Sequence, residues 1–151
     1  MELEEKILPN EQDINAPIKI LLLGSDTNIG QEFLQFSSNL AEFSLTPCSQ
    51  QAFNQDDFWS LELSQFDVVL DALSLDTEPK KAYLEQILAC NKALLGLDTN
   101  MFMLSDVEVF SGLKGTAYDE SELPDSETAK GRQLTQIESA VLNDEANIVL
   151  R

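Results

Sequence analysis

The stretch Ile18-Lys19-Ile20-Leu21-Leu22-Leu23-Gly24-Ser25-Asp26-Thr27-Asn28-Ile29-Gly30 decides the fold. Its first half is a short apolar run, the pattern of a strand buried on both faces of a parallel sheet. Gly24 stops the run, and from about Ile29 to Asn39 the residues Phe33, Leu34 and Phe36 mark the inward side of a helix. A strand, a glycine-bearing turn and a helix in that order open a βαβ unit.

The same alternation recurs outward from that stretch. Phe43 to Thr46 reads as a second strand halted by Pro47, and Phe66 to Leu73, β-branched at its centre, as a third. Between Glu78 and Leu97, Tyr83, Leu84, Ile87, Leu88, Leu94 and Leu97 repeat at helical spacing, with Pro79 in the first turn. Met101 to Leu104 gives a fourth strand, Thr128 to Leu142 a last long helix, and Ile148 to Leu150 a fifth strand. Strands alternating with helices require right-handed crossovers, so the expected class is α/β: a Rossmann-like, doubly wound parallel sheet with helices on both faces. The expected strand order is 3-2-1-4-5, with a ligand crevice at the carboxyl ends of strands one and four.

Met1 to Pro17 carries Glu2, Glu4, Glu5, Glu11 and Asp13 with two prolines and no sustained period, so it reads as a solvated acidic arm ahead of a domain over 18–151. A chain of 151 residues with 43% hydrophobic and 24% charged composition suits one domain. With 27 acidic against 9 basic residues and a formal charge of −18, nucleic acid and anionic membrane are excluded as partners, since both need clustered Lys and Arg. Cys48 and Cys90 lie in different elements without a CxxC pattern or a leader, which fits a reducing cytoplasm. The absence of His removes histidine-dependent triads and the usual zinc ligand sets, so no metal is expected.

Gly24 and Gly30 stand where a dinucleotide-binding domain places the first and last glycines of its GxxGxxG turn. The candidate cofactor-contacting residues are accordingly Gly24, Asp26, Thr27, Asn28, Ile29 and Gly30, joined by Asp71, Ala72 and Leu73 at the end of the third strand. Thr27 puts a β-branched side chain at the middle glycine, the position that lets backbone approach pyrophosphate. Asp26 adds a carboxylate beside the helix N-terminus. At an effective dielectric of about 20, two unit charges about 4 Å apart repel by about 4 kcal/mol, or about three decades of affinity. Asp26 also reads as a cap for the helix through the Asn28 or Ile29 amides.

Further on, Ser105-Asp106-Val107-Glu108-Val109-Phe110-Ser111-Gly112-Leu113-Lys114-Gly115-Thr116-Ala117-Tyr118 continues through Pro124 to Lys130-Gly131-Arg132-Gln133-Leu134. This run resembles the STDYVFDGxKGxPY and YGxSKxxGE segments of dTDP-4-dehydrorhamnose reductase and its sugar-nucleotide-modifying relatives in the extended short-chain dehydrogenase/reductase superfamily. Phe66 to Ala72 resembles that family's DVVINAA strand, and Ile148 to Arg151 its strand ending in LR. The resemblance implies a Rossmann fold, NAD(P) as cofactor and a keto sugar nucleotide as substrate.

The departures fall on the chemistry. The family's carbonyl-holding Ser or Thr matches Asp106, its catalytic Tyr matches Lys130 and its catalytic Lys matches Leu134. In such enzymes the phenol donates a proton to the carbonyl oxygen, while the lysine four residues on lowers the phenol's pKa and holds the ribose. Leu134 can do neither, and an anion at Asp106 would oppose the alkoxide charge that develops. The structural roles expected for the three are a strand-end cap for Asp106, a surface charge for Lys130 and a buried helix face for Leu134. Tyr83 and Tyr118 read as packing residues.

The leading expectation is thus a non-catalytic reductase-like module with a nucleotide-sensing, regulatory or interaction role and no required cofactor. The alternative is an NAD(P)-dependent reductase or epimerase completed by a further substrate-binding half, which the resemblance places after the LR strand. A third reading is a receiver-like signalling domain with Asp71 as phosphoacceptor. If Arg151 is the natural terminus, the last strand presents an uncovered parallel edge, suited to a second copy of the chain or a protein partner.

Overall fold

A computed structural model describes residues 16–55, 58–59, 61–73 and 81–151. Most of the acidic arm and the expected helix start at Pro79 lie outside the described residues. Five strands form one parallel sheet: β1 (Ile18–Leu23), β2 (Phe43–Cys48), β3 (Val68–Asp71), β4 (Asn100–Leu104) and β5 (Ile148–Leu150). Between them lie α1 (Asn28–Ser37), the short α2 (Gln50–Phe53), α3 (Lys81–Leu94) and α4 (Ala129–Val141), with 3-10 turns at Leu63–Gln65 and Val107–Val109.

The class is the expected Rossmann-like one, but the strand order is β2-β1-β3-β4-β5 and not 3-2-1-4-5. The reason is the crossover after β2. In the expected order, a helix and a third strand would continue outward beyond β2 before the chain returned. Here the chain between Cys48 and Val68 carries only the four-residue α2 and 3-10 geometry as regular structure among its described residues, then comes back past β1. β3 therefore takes the place beside β1 that the expected order gives to strand four. The topological switch, and with it the crevice, moves to the carboxyl ends of β1 and β3.

Alternation along the strands splits the core. Leu21, Leu23, Val69, Met101 and Met103 point to the side covered by α3 and α4, where they meet Ile87, Leu94, Leu134, Ile137 and Val141. Leu22, Leu70 and Ala72 point to the other side, under Ile29, Phe33 and Leu34 of α1. Phe36, expected on that inward side, is 70% exposed. The closest approach of α1 is at Gly30, where an added Cβ would overlap the Gly24 carbonyl. Phe36 lies about 120° round the helix from Gly30, so that approach turns it outward.

Pro47 does not halt β2; it sits inside the strand, paired in register with Leu22. β2 is at the edge of the sheet, so the missing amide of Pro47 leaves the ladder intact. The opposite edge is β5, paired with β4. Among the described residues no helix is long and apolar enough to cross a membrane.

Candidate functional site

The crevice at the ends of β1 and β3 gathers all the residues singled out for cofactor contact. Gly24 turns the chain with a φ of +80°, and its amide and that of Ser25 bond to the Cys48 carbonyl at 2.8 and 3.1 Å. The turn is thereby tied to the end of β2 before α1 begins.

Thr27 is 3% exposed. Its hydroxyl donates to the Gly24 carbonyl at 2.7 Å and accepts from the Gly30 amide at 3.0 Å, which makes it the N-cap of α1. The Ala72 carbonyl lies 3.5 Å away on the β3 side. Asp26 is exposed and does not cap α1 as expected: its Oδ1 accepts from the Gln50 amide at 2.8 Å, at the start of α2. The capping preference is satisfied by the residue one further along, whose extended backbone (φ −75°, ψ 162°) aims the hydroxyl at Gly30. Asn28 and Ile29 follow as the first two residues of α1.

Across the crevice, Leu73 packs against Gly24 so closely that a Cβ there would come within 3.0 Å of Leu73 Cδ2. Leu73 is 2% exposed and Ala72 is fully buried. Asp71 is also fully buried, its carboxylate accepting from the Leu73 amide at 2.9 Å and the Tyr83 hydroxyl at 3.1 Å. Loss of water pushes its pKa up to about 6, against the opposing effect of those two hydrogen bonds. Cys90, buried near Asp71 and Cys48, has its thiol pushed up to about 12, first by burial and then by repulsion from the Asp71 carboxylate. Tyr83 thus does more than the packing expected of it. Its partnership with Asp71 has no signal in the sequence beyond helical spacing, since the two lie 12 residues apart.

A second cluster follows β4. Asp106 caps the Val107–Val109 turn, its Oδ1 accepting from the Glu108 amide at 3.0 Å. Lys130, in the first turn of α4, reaches back to Glu108 Oε1 at 2.9 Å and Asp106 Oδ2 at 3.6 Å. The hydrogen bond to Glu108 and the two anions hold the ammonium above its usual pKa. Lys130 is therefore an ion-pair partner and more than a surface charge. Thr128 caps α4 through the Gly131 amide at 3.0 Å, and a Cβ at Gly131 would overlap Ser126 and the Glu108 carbonyl. One turn on, Leu134 is fully buried in the main core. Ser105, at the end of β4, has a buried hydroxyl with no hydrogen-bond partner among the described residues. Among the described residues no three His, Cys, Asp or Glu side chains gather as a metal site.

The carboxylate of Glu138 is a structural feature that the sequence reading misses. It is 1% exposed on α4 and receives Arg151 Nη2 at 2.7 Å and Nε at 3.1 and 3.2 Å. An acidic residue on the apolar stripe of the helix, between Leu134 and Val141, is the available hint.

No protein-family model and no curated protein sequence matches the chain. In structure it is similar to a dTDP-4-dehydrorhamnose reductase from Clostridium acetobutylicum ATCC 824, with a TM-score of 0.70 at 14% identity, covering 87% of this chain and 52% of that one. A UDP-glucuronic acid 4-epimerase from Bacillus cereus, in complex with NAD, gives 0.69 at 17% over 89% and 55%. A dTDP-4-dehydrorhamnose reductase from Bacillus anthracis str. Ames, in complex with NADP, gives 0.68 at 13% over 88% and 52%. The chain spans about half the length of these structures, and what it shares with them is the fold.

Proposed function

We propose that this chain is a non-catalytic Rossmann module that works by interaction, its crevice closed to dinucleotides. The observation that carries this reading is the filling of the switch point: Leu73 lies against Gly24, and Thr27 occupies the Gly30 amide that a helix N-terminus would otherwise offer to a phosphate. The resemblance has alanine at Leu73 and glycine at Thr27; Thr27 adds side-chain volume where backbone should meet pyrophosphate, and Leu73 adds it against the turn at Gly24. The residues present do not fit a dinucleotide.

The reacting positions support the same reading. Asp106, Glu108 and Lys130 form an ion-pair cluster where the resemblance calls for a carbonyl-binding hydroxyl and a proton-donating phenol. Leu134 has become core. The NAD and NADP complexes among the similar structures favour the alternative, a dinucleotide-dependent reductase or epimerase domain. The edge strand β5 is one place where the interaction would form.

Thermal unfolding with NADH, NADPH and UDP- or dTDP-sugars separates the two readings. A ligand at about 100 times its dissociation constant adds about 2.7 kcal/mol of stability. The expected result is no shift with any of them. A saturable shift with either nicotinamide cofactor overturns the proposal.

A further inference from the structure

The segment from Val107 to Tyr118 builds a second concave surface, sharing no lining residue with the Gly24–Leu73 crevice. A cavity of about 630 Å³ opens between the Val107–Val109 turn, the loop after it and Arg151. A smaller one of about 270 Å³ opens toward Glu127, and Phe110 lines both.

The wall between them is a four-layer stack. The Arg151 guanidinium lies over the Phe110 ring at 5.3 Å, Phe110 stacks on Tyr118 at 4.4 Å and 25°, and the Lys114 ammonium lies over Tyr118 at 5.5 Å. Polar contacts hold it in place: Lys114 pairs with Glu122, Tyr118 donates to Asp125 at 3.2 Å, and Arg151 donates to the buried Glu138. A wall already ordered adds little entropic cost to binding.

Two exposed apolar side chains flank the stack, Val107 at 70% and Leu113 at 81%. Each alone would be ordinary surface, but each lines one of the cavities. The charges around them are one-sided. Asp119 and Glu120 line the larger cavity and Glu127 the smaller, beside Glu108, which is held by Lys130; Arg151, the one cation lining them among the described residues, is likewise already held by Glu138. A second copy of a chain with formal charge −18 would be repelled there. The complementary occupant is apolar on one side and basic on the other.

We propose that this surface docks a basic amphipathic segment of a partner protein, with its apolar face on Val107 and the Phe110 stack and its Lys or Arg side chains at the acidic rim. The proposal deepens the interaction reading above. Its test leaves the crevice untouched, so a dinucleotide result does not decide it.

The probe is a fluorescein-labelled synthetic helix with leucines on one face and lysines on the other, followed by anisotropy. The wild-type chain is expected to bind it saturably. Val107→Asp makes the protein one charge more negative while removing the apolar contact: docking predicts weakening of about tenfold, or about 1.4 kcal/mol, whereas attraction by the overall field predicts tighter binding. Glu120→Lys is expected to weaken binding by about tenfold as well, and Glu32→Lys on the exposed face of α1, with the same charge change, by less than about twofold. All three positions are exposed, and unchanged circular dichroism checks the fold. Equal weakening by the two lysine variants, tighter binding by Val107→Asp, or no saturable binding overturns the proposal. Sedimentation showing a dimer that Val107→Asp dissolves would overturn it in favour of a second copy.

Discussion

Replacing Asp71 by asparagine is expected to stabilise this protein, and to do so in a pH-dependent way. Asp71 is fully buried and its pKa is pushed from the ordinary 3.8 up to about 6, chiefly by burial. The folded state therefore binds a proton more tightly than the unfolded state. Below pH 3.8 the carboxyl is neutral in both states and carries no penalty. As the pH rises, the unfolded chain ionises first, and the penalty on folding grows until the pH passes about 6. At about 1.4 kcal/mol for each pH unit between the two values, the full penalty is about 3 kcal/mol. At about pH 5 roughly half of it applies.

The asparagine amide keeps an oxygen for the Leu73 amide and turns its NH2 toward the Tyr83 hydroxyl, which can accept as well as donate. The Tyr83 hydroxyl, accepting from the amide, no longer donates its own proton to residue 71, a loss that lowers the gain equally at both ends of the pH range. For a domain of this length, about 3 kcal/mol corresponds to a rise in Tm of roughly 6–12 °C. The assay is thermal unfolding of Asp71→Asn against the parent at about pH 8 and about pH 5, read by circular dichroism. The expected gain is larger at the higher pH than at the lower by about 1.4 kcal/mol. A variant less stable than the parent at the higher pH, or a gain equal at both, refutes the argument that desolvation governs this carboxylate.

Three further outcomes follow from the packing. Gly30→Ala would drive a methyl into the Gly24 carbonyl and is expected to cost at least about 2 kcal/mol, measured by urea unfolding; a neutral result would mean that α1 sits further from β1. Leu134→Ala empties a fully buried site and is expected to lower stability by about 3 kcal/mol, whereas less than about 1 kcal/mol would argue against its place in the core. Arg151→Met leaves the Glu138 carboxylate buried without its partner, at an expected cost of about 3 kcal/mol near neutral pH; the double variant Arg151→Met with Glu138→Leu should recover most of it, and failure to recover would assign the loss to the Phe110 stack.

Several features were legible from the chain alone because they are local. The apolar run before Gly24, the helical spacing from Tyr83 to Leu94 and the start of the last helix at Thr128 depend on residues within one or two turns of each other. Periodicity, side-chain hydrogen bonding and sterics act at that range. Leu134 could be placed in the core and Asp106 at a strand end for the same reason. A capping side chain ahead of α1 was local too, although Thr27 and not Asp26 supplies it. The resemblance to sugar-nucleotide reductases rested on the spacing of such local motifs, and the shared fold agrees with it.

What only the tertiary structure decided was non-local. The strand order turned on whether the chain between Cys48 and Val68 went outward to a third strand or back across β1, a choice that no periodicity within either strand encodes. Phe36 depended on how close α1 comes to β1 at Gly30. Leu73 against Gly24, Asp71 against Tyr83 and Glu138 against Arg151 are contacts between residues 12 or more positions apart. Their geometry exists only once the crossovers have brought the strand ends together. The elements are thus written in neighbouring residues, whereas the crevice between them, and whether it is open or filled, is set by how those elements meet.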